Sequence, residues 1–318
     1  MHGADYLSPI CQEYPRKRWR IDGLMEQTLN LSCPEAARLV LLDPDLLAAP
    51  LHASSRSRYE QFRRMSQQNR NASTPAERYF WELRGFALVL LQDRSYPLWQ
   101  RLFILHLFCK RLTEVIAAKE VQLLPRLLSD YAEIIEEGKL HPAMDGISIE
   151  IKAQVAAVLE VIVCHIEHTH PTNTRIRECV KDFREAIQYQ DGVPVETFVP
   201  YYEEAHSRYY APFMQAHPYV LENYLINHIF KTRFPFPPST KSEPMDATAQ
   251  SLVMCLQYSI IKGLLIGMAG CYKEAFGPEH IVKLVSSFAK AVEHCPAFPE
   301  RLNRELGTTE GMVHLLKN

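Results

Sequence analysis

The sequence predicts an all-α protein: a multi-helix, bundle-like array with one short N-terminal β-hairpin. Three observations carry that expectation. From about residue 75 onward, apolar residues recur at steps of three and four, the spacing that gathers them on one helical face. Only 12 glycines occur in 318 residues, too few for the Gly-rich turns of an α/β nucleotide-binding fold. Strand-like alternation is confined to the stretch around residues 19–31.

Taken in order, Trp19 and Ile21 alternate with polar residues up to Asp22-Gly23, and Leu29 and Leu31 alternate beyond it. Asp-Gly supplies the positive φ angles of a tight hairpin turn. Ser32-Cys33-Pro34-Glu35 then opens a helix to about Leu42, with proline where its missing N–H costs nothing. Residues 48–74 are rich in Ser, Arg, Asn and Gln and read as a linker. Thr74-Pro75-Ala76-Glu77 is a helix start: a cap, a proline, then an acid. Leu98, Leu102, Leu105, Cys109, Leu112 and Ile116 share one face, and Val121, Leu124, Leu128, Tyr131 and Ile135 mark the next helix. Helices at about 149–167 and 173–189 follow.

After Gly192-Val193-Pro194 the composition turns aromatic, until Phe234-Pro235-Phe236-Pro237-Pro238 stops the run. A second polar linker at 239–245 precedes helices at about 246–275 and 279–294 and a short helical tail. The division expected is 1–47, a cysteine-containing hairpin and helix; 48–74, a linker; 75–192, a helical subdomain; and 193–318, an aromatic-rich helical subdomain.

A composition of 47% hydrophobic and 23% charged residues fits a chain with a real core, and the net charge of −2 gives no global pull toward nucleic acid. The stretch Leu252–Tyr272 is interrupted by Gln257 and Lys262, so it reads as a buried helix, not a membrane span. The start, Met1 to Arg20, is polar and punctuated by prolines, unlike a signal peptide. Eight cysteines without a C-x-x-C pair then read as reduced thiols of a cytoplasmic protein, most of them packed as small hydrophobes. Peripheral membrane association and oligomeric state stay open.

Several polar groups stand out. Cys33 precedes a helix-opening proline, where free N–H groups and the helix dipole favour a thiolate. The hairpin offers a way to fold Cys11 toward it, although two thiols do not close a metal site; two ordinary cysteines are the plainer reading. His165 and His168 share a face, yet histidines at a helix C-terminus more simply complement the dipole and face water. Arg16, Lys17, Arg18 and Arg20 flank Trp19, and linker arginines include Arg56, Arg63 and Arg70; a solvated face or an acidic partner accounts for them. Gly263 and Gly267 form a small-x-x-x-small pattern that suits tight packing. Lys262 beside them must pair, snorkel or titrate, with Glu222, Glu293 or a backbone carbonyl as partner. Glu222, Asn223 and Asn227, and separately Glu293-His294, interrupt apolar helices and form either satisfied networks or a site.

At these residues the chain resembles a known family. Cys11-Gln12-Glu13-Tyr14-Pro15-Arg16 and the segment Gln27–Leu39, with its Cys33-Pro34-Glu35-Ala36-Ala37-Arg38, resemble the bacterial flagellin lysine-N-methylases. So do Leu221–Asn227 with Phe234-Pro235-Phe236, Ile261–Gly267 and Ser287–His294. The resemblance implies transfer of a methyl group from S-adenosylmethionine to lysine ε-amines of flagellin. It also implies a 4Fe–4S cluster, with Cys11 and Cys33 matching cysteines of that region. The family's further N-terminal segment, with clustered cysteines, has no counterpart before Cys11, so a truncated or inactive form is part of the expectation. No Rossmann-type Gly-rich loop marks the cofactor site. Aromatic faces attract both a sulfonium and a lysine cation, which directs attention to residues 196–236, with Glu222, Tyr224 and Asn227 as candidate catalytic residues. The alternatives are a non-catalytic helical module that binds flagellin or another protein, and a small metal-binding protein using Cys11, Cys33 and the His165–His170 run.

Overall fold

The computed structural model describes residues 13–47, 74–148, 150–162, 166, 173–238, 245–293 and 315–317. Within them the expected all-α architecture holds, with one two-stranded antiparallel hairpin. Strands β1 (Arg16–Ile21) and β2 (Leu24–Leu29) pair with Trp19 opposite Glu26. Asp22 and Gly23 both adopt positive φ, 51° and 80°, as the mirror-image two-residue turn demands.

Helix α1 (Pro34–Leu41) begins where expected. Cys33 is its extended N-cap residue, Pro34 opens the helix, and Ala36, Ala37, Val40 and Leu41 are buried. At the second expected start, Thr74 Oγ1 accepts the Glu77 N–H at 3.3 Å. The chain then makes a 3₁₀ turn (Ala76–Tyr79) before α2 (Phe80–Gln92). Next come α3 (Leu98–Ala117), α4 (Leu124–Glu136), the short α5 (His141–Asp145) that apolar spacing did not reveal, α6 (Ile151–Val161) and α7 (Thr174–Ala186). The side chain of Asn173 caps α7 by accepting the Ile176 N–H.

The aromatic region folds as α8 (Val199–Ala205), a π-helical turn (His206–Tyr210), α9 (Ala211–Ala216) and α10 (Tyr219–Thr232). Helices α11 (Ala247–Tyr272) and α12 (Pro278–Phe288) complete the array. Of the two expected linkers, 48–73 and 239–244 lie outside the described residues, as do Cys11, Cys164, His165, His168, His170, His294 and Cys295.

Helix α11 is the hub. At 26 residues it is roughly 39 Å long, and α3, α6, α7, α8, the π turn, α10 and α12 all pack on it. By length and composition it is apolar enough to cross a membrane, and 94% of its apolar window is buried inside the protein. The small residues explain how so many helices fit around one. A Cβ added at Gly263 would collide with the Val158 side chain, at Gly267 with the Phe183 ring, and at Gly270 with Ala205 Cβ. The Gly263/Gly267 pattern is therefore a close-packing device in a protein core.

The hairpin is fastened to this array by polar contacts. Trp81 Nε1 donates to Asp22 Oδ2 at 2.7 Å, and Trp19 Nε1 donates to the Phe230 carbonyl at 3.1 Å. Arg84 is buried on α2, pairs with Glu26 at 2.7 Å, and lies over the Phe230 and Phe80 rings. Arg101, Glu222 and Lys262 stand among the polar groups built into the helices themselves, and Arg94 lies in the turn between α2 and α3.

Candidate active site

Glu222 lies in the first turn of α10 and is only 4% exposed. Burying a carboxylate without compensation costs several kcal/mol, so it needs partners. It has two arginines. Arg94 donates to it twice, Nε to Oε2 at 3.1 Å and Nη2 to Oε1 at 3.0 Å. Arg101, itself buried on α3, donates from Nη1 at 2.8 Å and also to the Leu91 carbonyl. The carboxylate hydrogen bonds hold the Arg94 guanidinium above its ordinary pKa. Glu222 thus ties α10 to α3 and to the α2–α3 turn.

The other two candidates on α10 have separate partners. Tyr224 is buried and donates to Gln257 Oε1 on α11 at 3.2 Å. Asn227 faces the hairpin: it accepts from Thr28 Oγ1 at 2.7 Å and donates to the Leu29 carbonyl at 3.1 Å. Asn223 serves α1, donating to the Val40 carbonyl in its last turn and to the Asp43 carbonyl just past its end. The structure therefore does not bring Glu222, Tyr224 and Asn227 to one shared partner. Each positions a neighbouring element.

One turn further along α11 the polar seam continues in groups that the sequence only partly signalled. Lys262 is 4% exposed, its Nζ 5.7 Å from the centroid of the Tyr258 ring. Of the three partners expected for it, the backbone carbonyl is present: Nζ donates to Leu316 O at 3.3 Å. Burial penalises the ammonium and brings its pKa down to about 7. His206, at the start of the π turn, is held down to about 4 by burial and then by the charge of Lys262. Tyr258 and Tyr210 are pushed well up, also chiefly by burial. Tyr202 is fully buried and donates to Gln154 Oε1 at 3.2 Å. The π turn, a deformation that recurs at functional sites, sets His206 and Tyr210 against α11. Arg101, Tyr258 and Gln154 were legible by the rule that singled out Lys262, a polar group within an apolar helical pattern.

An open cleft of about 440 Å³ lies beside this seam, at the C-terminal ends of α7 and α11. Tyr201, Tyr209, Glu204, Glu274, Arg208 and Lys273 contribute to its walls.

The thiols are arranged differently. Cys33 is half-buried at the start of α1 and is not sealed in hydrocarbon. Cys109 and Cys255 are wholly buried and their thiols are pushed far up by burial; Cys179 is pushed up to about 12. Such thiols stay protonated and are poor metal ligands. Among the described residues no group of three or more His, Cys, Asp or Glu is arranged to hold a metal ion. The four-thiolate set of a 4Fe–4S cluster is therefore not assembled among them, and the proposed partner Cys11 lies outside them.

Comparison with known proteins gives these features a family. Residues 84–317 match the FliB lysine N-methylase C-terminal domain. The chain is 22% identical to the lysine-N-methylase of Salmonella typhimurium (strain LT2) over 327 aligned positions, covering 99% of this chain and 76% of the relative. The lysine-N-methylase of Salmonella choleraesuis (strain SC-B67) matches to the same extent. No solved structure matches the chain. The domain match runs from the buried Arg84 to Lys317 and takes in the whole polar seam, and on that match the chain belongs to the FliB lysine N-methylase family.

Proposed function

We propose that this protein methylates lysine ε-amines of flagellin in the cytoplasm, with S-adenosylmethionine as methyl donor. The observation that carries the reading is the family match over residues 84–317, which contains the seam around Tyr258 and Lys262. The activity named for the family is N-methylation of lysine, and the chemistry of the seam suits it. A lysine ammonium has no lone pair to offer a methyl group, so the amine must first lose its proton. In water that happens near pH 10.4. An amine in the environment of Lys262 loses it near 7, because burial disfavours the charge. A substrate lysine brought into the same dehydrated surroundings meets the same bias, and exclusion of water protects the reaction.

S-adenosylmethionine, when bound, supplies the methyl group on a sulfonium. The cleft beside α8 offers residues of the right kind to hold it. The face of Tyr201 attracts a sulfonium, Glu274 an amino group and Lys273 a carboxylate, while Arg208 pairs with Glu204 at 3.3 Å and lies over the Tyr209 ring. Its volume lies within the usual range for small-molecule sites.

The test is incubation of the purified protein with flagellin and methyl-labelled S-adenosylmethionine, followed by mass spectrometry of the flagellin lysines. Label on lysine ε-amines is the expected result. No label, in air and after anaerobic reconstitution with iron and sulfide, overturns the proposal.

A further inference from the structure

The geometry points to a groove across α3, α6 and α11 that anchors a peptide by a lysine held as its ammonium, a lysine distinct from the one that is methylated, and residues 315–317 of this chain fill it from within. The inference deepens the methylation reading, on which it rests for the identity of the natural peptide.

The contacts to this segment divide into two kinds. The first kind goes to backbone carbonyls. Gln154 Nε2 donates to Leu315 O at 2.9 Å and to Lys317 O at 3.1 Å, while Lys262 Nζ donates to Leu316 O at 3.3 Å. Every peptide carries such carbonyls, so these contacts read a main chain and not a sequence. Gln154 is itself fixed, because its Oε1 accepts from Tyr202. The second kind is specific for a lysine. The Lys317 ammonium lies 5.3 Å from the centroid of the Trp99 ring and donates to the carbonyls of Asp145 (3.4 Å) and Ile147. An aromatic face with carbonyl oxygens around it is a slot for an alkylammonium. Leu315 and Leu316 are 4% and 0% exposed, so both apolar side chains are covered in the groove. The chemical class of ligand is therefore a peptide with two apolar residues preceding a lysine.

The position of the segment matters as much as its contacts. Its middle carbonyl caps Lys262, the amine at the centre of the seam, so an external peptide that takes this place is brought against the same residues. While the internal segment is bound, only the fraction of molecules with an open groove can take an external peptide. The apparent dissociation constant rises in proportion.

The test uses the full chain, its Lys317→Gln variant and two fluorescent acetylated peptides, Leu-Leu-Lys-Asn and Leu-Leu-Gln-Asn. The lysine–aromatic contact contributes about 0.5–2 kcal/mol, which corresponds to about twofold to thirtyfold in affinity. Two results are expected, and because one contact is responsible for both, they should agree in size. Lys317→Gln binds the lysine peptide tighter than the unaltered chain by that factor, and it prefers the lysine peptide over the glutamine peptide by the same factor. Equal binding by the unaltered chain and Lys317→Gln, equal binding of the two peptides, or no binding of either overturns the inference. Flagellin methylation measured alongside separates the two readings. Label without the peptide switch removes the groove and leaves the methylase; the switch without label does the reverse.

Discussion

Replacing Glu222 by alanine tests whether this carboxylate is a structural clamp. The variant strips Arg101 of its anionic partner while leaving that guanidinium 4% exposed, with the Leu91 carbonyl as remaining acceptor and its Nε already without one. Removing one member of a buried pair costs about 3–5 kcal/mol, since the other charge is left uncompensated in the interior. Arg94 differs: its side chain is half exposed, so Arg94→Ala should cost no more than about 1 kcal/mol. Urea unfolding of the three proteins reads both numbers. A third variant isolates the cause. Glu222→Leu with Arg101→Met replaces the pair by apolar groups of similar size and should recover most of the loss. A cost below about 1 kcal/mol for Glu222→Ala, or a double variant no better than the single one, would refute the clamp.

Other variants probe the remaining joints. Gly267→Ala pushes a methyl into the Phe183 ring and should destabilise by about 1–3 kcal/mol, seen as a lower urea midpoint. Asn227→Ala removes two hydrogen bonds that hold β2; hydrogen exchange should show faster opening of the hairpin amides than of α11. His106 makes the protein sensitive to acid. Burial and then Lys110 hold its pKa down to about 4, so the unfolded imidazole takes up a proton first as the pH falls below 6.5. Stability is present above 6.5 and is lost between 6.5 and about 4. His106→Gln should flatten that part of the stability profile by about 3 kcal/mol, and an unchanged profile would count against the burial argument.

Much of the fold was legible because local chemistry and tertiary packing agree. Asp22-Gly23 can close only a tight turn, and Pro34 after Cys33 can only begin a helix; both stand where expected. The five-residue α5 was not legible, since one turn shows no periodicity. Thr74 capped its turn as expected, yet the first residues wind as 3₁₀ before α2. The candidate site was legible in kind and not in arrangement. A polar residue in an apolar helix marks a group that must be partnered, and Glu222, Asn227 and Lys262 all are. Which partner it takes depends on residues more than a hundred positions away, such as Arg101 for Glu222 and Thr28 for Asn227, and no local pattern encodes that. The Leu316 carbonyl over Lys262, 54 positions along the chain, is likewise not encoded locally.

The central claim is that burial in the seam of α11 lowers the pKa of an amine toward neutrality, so that a large fraction loses its proton near pH 7 and can accept a methyl group. The direct measurement is an NMR titration of protein labelled with ¹³Cε-lysine, with the Lys262 signal assigned by its loss in Lys262→Met. A midpoint near 7 is expected from its burial. A midpoint close to the ordinary lysine value of 10.5 would contradict the account.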